Sequence, residues 1–219
     1  MPKRSKSNRE VEIKIRVKDP VAMRATLIGA GAVMIRRVLE QNTLFDTAES
    51  AMRRSGQLLR VRIETPVSMT KKKLGSIRGI LTSKAPVRRT GADRPPGRYK
   101  ERLEREVVIA QPAVVVTKLQ ALGLRPRFRY EKYRTSYHLP GVHVELDETP
   151  VGTYLELEGT PAAIDAAADR LGFRRADYRN ETYWGVYVAD CKRRGVRPTN
   201  MLFRWGNSAL NVHSSLDKL

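Results

Sequence analysis

The stretch Glu10-Val11-Glu12-Ile13-Lys14-Ile15-Arg16-Val17 alternates charged and apolar residues without a break. In an extended strand, residues two apart share a face. Glu10, Glu12, Lys14 and Arg16 therefore lie on one face, and Val11, Ile13, Ile15 and Val17 on the other. The pattern predicts a strand with one apolar side and one fully charged side. A helix is predicted next. Asp19 suits its N-cap, Pro20 occupies the first helical position where a missing N–H does no harm, and Gly29 or Gly31 ends it.

This strand–helix unit recurs twice. Leu103 to Ile109 carries Glu104 and Glu106, followed by Gln111-Pro112 and a helix ending at Gly123. Tyr154 to Glu158 carries Glu156 and Glu158, followed by Thr160-Pro161 and a helix ending at Gly172. The copies are not evenly spaced, which argues against a solenoid. Each Glu-x-Glu pair sets two carboxylates side by side on one sheet surface. Surface solvation gives no reason for that spacing, whereas a divalent cation does.

Further strands carry charge in the same way. Thr43 to Asp46 is short; Leu58 to Glu64 aligns Arg60, Arg62 and Glu64; Ile80 to Lys84 aligns Thr82 with Lys84. Arg129 to Leu139 aligns Lys132, Arg134 and Ser136, and Val142 to Asp147 aligns His143, Glu145 and Asp147. If these antiparallel strands close into a barrel, the charged faces line a water-filled tunnel and the apolar faces turn outward to the helices. The expected fold is α+β: an eight-stranded antiparallel closed β-barrel with a charged lumen and helices packed outside. Residues 1–8 read as a disordered basic arm, 9–194 as the tunnel domain and 195–219 as a weakly ordered C-terminal tail. Thr65 to Gly79, with Lys71-Lys72-Lys73, and Ala85 to Lys100 read as basic loops. Arg179 to Arg194 predicts a helix with Tyr183, Trp184, Tyr187 and Val188 on its apolar face.

Composition narrows the partners. Among 219 residues, 42 Lys and Arg face 23 Asp and Glu, a net charge of +19 that points to polyanions. The single cysteine, Cys191, excludes a disulfide framework and a thiolate metal site. His138, His143 and His213 lack ligand spacing. The N-terminus has no apolar signal region and no apolar run is long enough to span a membrane, so a cytoplasmic protein without a membrane partner is expected. A non-catalytic polyphosphate or RNA binder, using the basic loops, is the alternative of another class. No recognisable nucleic-acid motif supports it, and paired carboxylates would repel phosphate without metal. Self-association as a homodimer stays open.

Glu10-Val11-Glu12-Ile13-Lys14 resembles the ExExK signature of the CYTH superfamily, the triphosphate tunnel metalloenzymes. The rest of that pattern follows in order: Phe45-Asp46, Leu59-Arg60-Val61-Arg62, Leu81-Thr82-Ser83-Lys84, Arg102-Leu103-Glu104-Arg105-Glu106, Lys132-Tyr133-Arg134, Leu146-Asp147 and Leu155-Glu156-Leu157-Glu158-Gly159. The resemblance covers residues 9–190. It implies a tunnel that binds a triphosphate with Mg²⁺ or Mn²⁺. By resemblance, Glu10, Glu12, Glu156 and Glu158 hold metal, with Asp147, Glu104 and Glu106 contributing directly or through water. Glu145 stands where the family often has a neutral residue, and is expected to pair with a basic neighbour. Lys14, Arg60, Arg62, Lys84, Arg102, Lys132 and Arg134 grip phosphate oxygens, and Lys14, Arg60 and Lys132 are the catalytic candidates. The implied reaction is metal-dependent hydrolysis of a triphosphate such as ATP, thiamine triphosphate or tripolyphosphate. The close alternative is class IV adenylyl cyclase chemistry, turning ATP into cyclic AMP and pyrophosphate.

Overall fold

Ile13, Ile15 and Val17 turn outward from the first strand into a buried apolar layer, while Glu10, Glu12 and Lys14 turn inward. The computed structural model describes residues 9–67, 76–87 and 98–204. The basic arm, the Lys71-Lys72-Lys73 run and residues 205–219 lie outside the described residues. In chain order the elements are β1 (Arg9–Val17), α1 (Pro20–Gly29), β2 (Val33–Asp46), α2 (Ala51–Arg54), β3 (Leu58–Pro66), β4 (Arg78–Pro86), β5 (Lys100–Ile109) and α3 (Pro112–Ala121). There follow β6 (Arg125–Leu139), β7 (Val142–Thr149), β8 (Gly152–Gly159), α4 (Pro161–Arg170), a 3₁₀ turn (Arg175–Asp177), β9 (Tyr178–Arg179) and α5 (Tyr183–Arg193).

The strands pair in the order β5-β4-β3-β2-β6-β7-β8-β1, and β1 pairs back onto β5, which closes an eight-stranded barrel. All of these pairings are antiparallel. Closure gives each of these strands a partner on both sides over part of its length, which shortens the edges that would otherwise invite aggregation. The extra strand β9 takes the β1 edge beyond the point where β5 leaves it, with Lys14 opposite Arg179.

Two apolar layers cover part of the barrel's outer surface. In the first, α1 and α4 cover the outer faces of β1, β7 and β8, so that Leu27, Val144, Leu146, Leu155, Leu157 and Ile164 have no solvent exposure. Burial of each contributes about 1.5–3 kcal/mol of transfer free energy. Asp19 Oδ1 accepts from the Val21 and Ala22 N–H groups at 2.8 and 3.0 Å, and Thr160 Oγ1 accepts from the Ala163 N–H at 3.3 Å, so both helices start where the cap residues predict. Gly31 and Gly172 follow their ends with φ of 79° and 84°, a left-handed backbone that glycine adopts without strain. The middle unit differs: α3 buries none of its residues and has no side-chain cap. The second layer lies under α5, where Phe128, Tyr130, Tyr154, Val186, Tyr187 and Cys191 pack together with Met201.

The structure corrects the sequence reading at several boundaries, two of which matter for the site. The strand expected at Thr43 to Asp46 begins at Val33, and a register shift against β6 between Met34 and Arg36 breaks the alternation that would have revealed it. The helix expected from Arg179 begins at Tyr183 instead, capped by Thr182, because Tyr178 and Arg179 are taken up by pairing with β1. After α5 the chain returns to the barrel. Met201 forms a parallel bridge to Tyr130 and is 1% exposed, a contact no pattern in the sequence announces.

Candidate active site

The barrel encloses a cavity of about 700 Å³. It is lined by Glu10, Glu12, Lys14, Arg60, Arg62, Lys84, Arg102, Glu104, Glu106, Lys132, Arg134, Glu156 and Glu158. Of the site residues expected from the sequence, these thirteen are brought together in one lumen. Asp147 stands fully buried just behind them. Period-two alternation is the cause: the strand faces that carry them are the faces that barrel closure turns inward.

Depth separates the charges into groups. At the centre lies Glu40 on β2, with no solvent exposure. It pairs with Arg62 at 3.0 Å, Lys132 at 3.5 Å and Arg134 at 3.7 Å. Burial alone would raise its pKa, but Arg62, Lys132 and Arg134 hold the carboxyl well below the usual range. Beside it, Asp147 Oδ2 accepts from Lys132 at 2.7 Å and from Arg134 at 2.6 Å, while Arg134 Nε donates to Oδ1 at 2.7 Å. Glu156 is likewise kept ionised against burial by Lys14, Lys132 and Arg134. On the β3–β5 wall, Glu106 accepts from Arg62 at 2.8 Å, Arg60 at 3.3 Å and Thr82 at 2.8 Å. Arg60 also donates to the Tyr130 hydroxyl at 3.2 Å. The Nε atoms of Arg60 and Arg62 are buried without a hydrogen-bond partner, so these guanidinium groups are not fully spent on protein acceptors.

A second group of carboxylates gathers around the β1–β5–β8 wall. Burial raises the pKa of Glu10 to about 7, with Glu12 and Glu104 adding to the rise and Lys84 opposing it. Burial and the neighbouring Glu10 also raise Glu158. Glu12 is lowered in spite of burial because Lys100 pairs with it. Lys84 bridges Glu10 and Glu104, at 2.7 and 3.2 Å. Among the described residues no three acidic, imidazole or thiolate groups converge tightly enough to form a metal site as they stand. The chemistry of Glu10, Glu12 and Glu158 nonetheless fits a hard divalent cation: they are carboxylates only, they repel one another, and lysines now supply the positive charge they share.

Several residues of the site lie outside the sequence pattern. Glu40 shares strand parity with Asn42 but sits on the part of β2 that precedes the predicted strand. Lys100 shares parity with Arg102 and Glu104 and lies three residues before the predicted strand. Tyr183 carried no such signal, since it reads as the core face of a helix. Its hydroxyl donates to Asp147 Oδ2 at 2.5 Å, and burial together with the nearby Asp147 and Glu156 carboxylates pushes its pKa well up, so it remains a donor. Glu145 pairs with His143 at 2.7 Å and lies 3.7 Å from Arg134, so it has basic partners as expected.

A charged, closed eight-stranded tunnel with this residue order has a counterpart among protein families. The CYTH domain matches residues 8–171. This chain belongs to the CYTH family. No curated protein matches the chain. Solved structures do match in fold. One is a Vibrio parahaemolyticus protein provisionally assigned as an adenylate cyclase, 18% identical, with a TM-score of 0.64 over 81% of this chain and 96% of its own. A Pyrococcus horikoshii protein is 20% identical, with a TM-score of 0.64 over 82% and 98%. A Hippeastrum protein, provisionally an adenylyl cyclase and described as having a dominant triphosphatase activity, is 17% identical, with a TM-score of 0.54 over 86% and 97%. These likenesses establish the CYTH tunnel fold and carry no further conclusion by themselves.

Proposed function

We propose that this CYTH protein is a divalent-metal-dependent phosphohydrolase that draws a triphosphate into its tunnel. The observation that carries the reading is the buried convergence of Arg60, Arg62, Lys132 and Arg134 on one lumen whose neighbouring wall is lined by Glu10, Glu12 and Glu158. CYTH proteins are in general metal-dependent. Glu10, Glu12 and Glu158 would hold the ion, with Glu156 beside them; when bound, it would neutralise phosphate charge. The remaining work is positioning and charge neutralisation, which is most of what phosphoryl transfer demands. Arg60 and Arg62 offer forked donors to phosphate oxygens, and Lys14 and Lys132 act as point charges. Asp147 and Glu40 hold these cations in place rather than meeting the substrate.

Water as nucleophile needs nothing from the chain beyond the charged lumen, whereas cyclisation also needs contacts that fold a ribose back onto its own phosphate. Leu44, Leu58, Phe128 and Trp184 line part of the same cavity. They give a ring-bearing triphosphate a surface that bare tripolyphosphate would not use. Purified protein incubated with ATP, thiamine triphosphate or tripolyphosphate, with Mg²⁺ or Mn²⁺, should release orthophosphate. Cyclic AMP as the main product from ATP would replace this reading with the cyclase one, which the assignment of the Vibrio parahaemolyticus relative favours.

A further inference from the structure

Tyr183 is the first residue of α5, yet its side chain faces the lumen rather than only the helix's own packing layer. Three strands meet at this one ring. Lys14 of β1 places its Nζ 4.0 Å from the ring centroid, and Lys132 of β6 places its Nζ 4.6 Å away. The hydroxyl donates to Oδ2 of Asp147 on β7, the same oxygen that accepts from Lys132. Two ammonium groups sharing one region repel; a ring beneath both attracts both, and most strongly where water is scarce. A tyrosine serving packing alone has no need of these three partners.

The position of the ring is fixed from further along the chain. The Val196 N–H donates to the Cys191 carbonyl at 3.0 Å and ends α5. The Thr199 N–H donates to the Tyr187 hydroxyl at 3.3 Å. Asn200 Oδ1 then accepts from the Arg129 N–H at 2.9 Å, the Met201 N–H donates to the Arg129 carbonyl at 3.0 Å, and the Glu131 N–H donates to the Met201 carbonyl at 2.9 Å. Residues 200–203 thus lie as a strap along the β6 edge that β7 leaves unpaired before Tyr133. The next residue of β6 is Lys132. The strap therefore ties α5, and Tyr183 with it, to the strand that carries a phosphate-facing lysine.

We infer that Tyr183 is a positioning residue that holds Lys14 and Lys132 as a pair facing the triphosphate, and that the strap formed by Asn200 to Phe203 sets its place. This rests on the triphosphatase reading for its kinetic consequence but not for its geometry. The test uses the full chain and its Tyr183→Leu, Tyr183→Phe and Met201→Ala variants, with lysines labelled at Cε for NMR. In the wild type, ring current should shift the Lys14 and Lys132 methylene signals upfield. Tyr183→Leu should abolish those shifts and raise KM for tripolyphosphate about tenfold, with a smaller change in kcat. Tyr183→Phe keeps the ring and should retain both the shifts and most of the affinity. Met201→Ala should move the same two lysine signals without touching the lumen directly. If Tyr183→Leu folds and its KM stays within about twofold of the wild type, the positioning role is overturned. It is equally overturned if the two lysine signals show no ring-current shift in the wild type, a measurement that survives any failure of Tyr183→Leu to fold. A wild-type protein that turns over no triphosphate sinks the hydrolase reading, while the lysine signals still decide the geometry.

Discussion

Lys84 Nζ reaches both carboxylate oxygens of Glu10, at 2.8 and 2.7 Å, and still does not bring the Glu10 pKa down to its ordinary value. Burial and the neighbouring Glu12 and Glu104 outweigh the lysine and leave Glu10 near 7. A raised carboxyl pKa has a definite sign. Between the ordinary 4.5 and about 7, the folded chain binds a proton that the unfolded chain has released, so this group lowers stability as pH rises through that window. Glu10→Gln should therefore be more stable than the wild type above the window, by on the order of 1–3 kcal/mol, and equal to it at the acid end. Denaturant unfolding at a series of pH values, in chelator, measures the gap. Parallel curves for the two proteins would contradict the assignment.

Glu40 and Glu156 carry the opposite sign. Their neighbours hold both carboxyls well below the usual value, so the stability they provide is present at neutral pH and is lost as pH falls below the ordinary carboxylate range. Glu40→Gln leaves Arg62, Lys132 and Arg134 without their common carboxylate. Removing one member of a buried ionic cluster costs about 3–5 kcal/mol. Asp147 still holds two of the three cations, which places the expected loss at the lower end, a fall in Tm of roughly 6–12 °C. Tripolyphosphate should restore more stability to the variant than it adds to the wild type, because the anion supplies the missing charge. Thermal melts with and without tripolyphosphate test both parts, and an equal shift in the two proteins would show that the anion does not reach this cluster.

The barrel was legible because alternation is a local signal. Lys14, Arg60 and Lys132 can be placed on inward faces from their own strands, without knowing which strand pairs with which. Glu40 was lost where the local signal fails: Val33-Met34-Ile35 and Arg36-Arg37 break the period at a register shift. Tyr183 and Met201 were lost for a different reason. Their roles depend on which surfaces meet after residues 178–204 fold back onto β1 and β6, and no spacing within that segment encodes the meeting. The Glu-x-Glu pairs show the same limit. Their equal spacing made three strands look alike, but the side chain of Glu106 is 39% exposed, against 8% for Glu10 and 11% for Glu156.

That inequality separates the pairs in a metal-binding experiment. Oε1 of Glu106 already accepts from Arg60, Arg62 and Thr82, and a metal ion there would face two guanidinium cations. Glu10 and Glu12 are met by single flexible lysines, which can swing aside. Titration with Mn²⁺, followed by the loss of its free electron paramagnetic signal, should show affinity falling at least about tenfold in Glu12→Gln and only a few-fold in Glu106→Gln. An equal loss in both would place the ion across the first and middle pairs together.

Trp184 and Phe128 meet edge to face, with ring centroids 4.9 Å apart, and line the cavity together with Leu44 and Leu58. Arg60 lies two residues beyond Leu58 on the same strand face, so a ligand gripped there through its phosphates would bring an attached ring against these side chains. Stacking of a base on an aromatic side chain is worth about 1–3 kcal/mol. Trp184→Ala should therefore raise KM for ATP by roughly fivefold to a hundredfold, and Leu58→Ser should act in the same direction, while KM for tripolyphosphate stays nearly unchanged. Steady-state kinetics on the two substrates, side by side, isolate the ring's share because both present the same phosphate chain to the lumen. If both values of KM rise together, these residues support the tunnel wall and do not select the substrate.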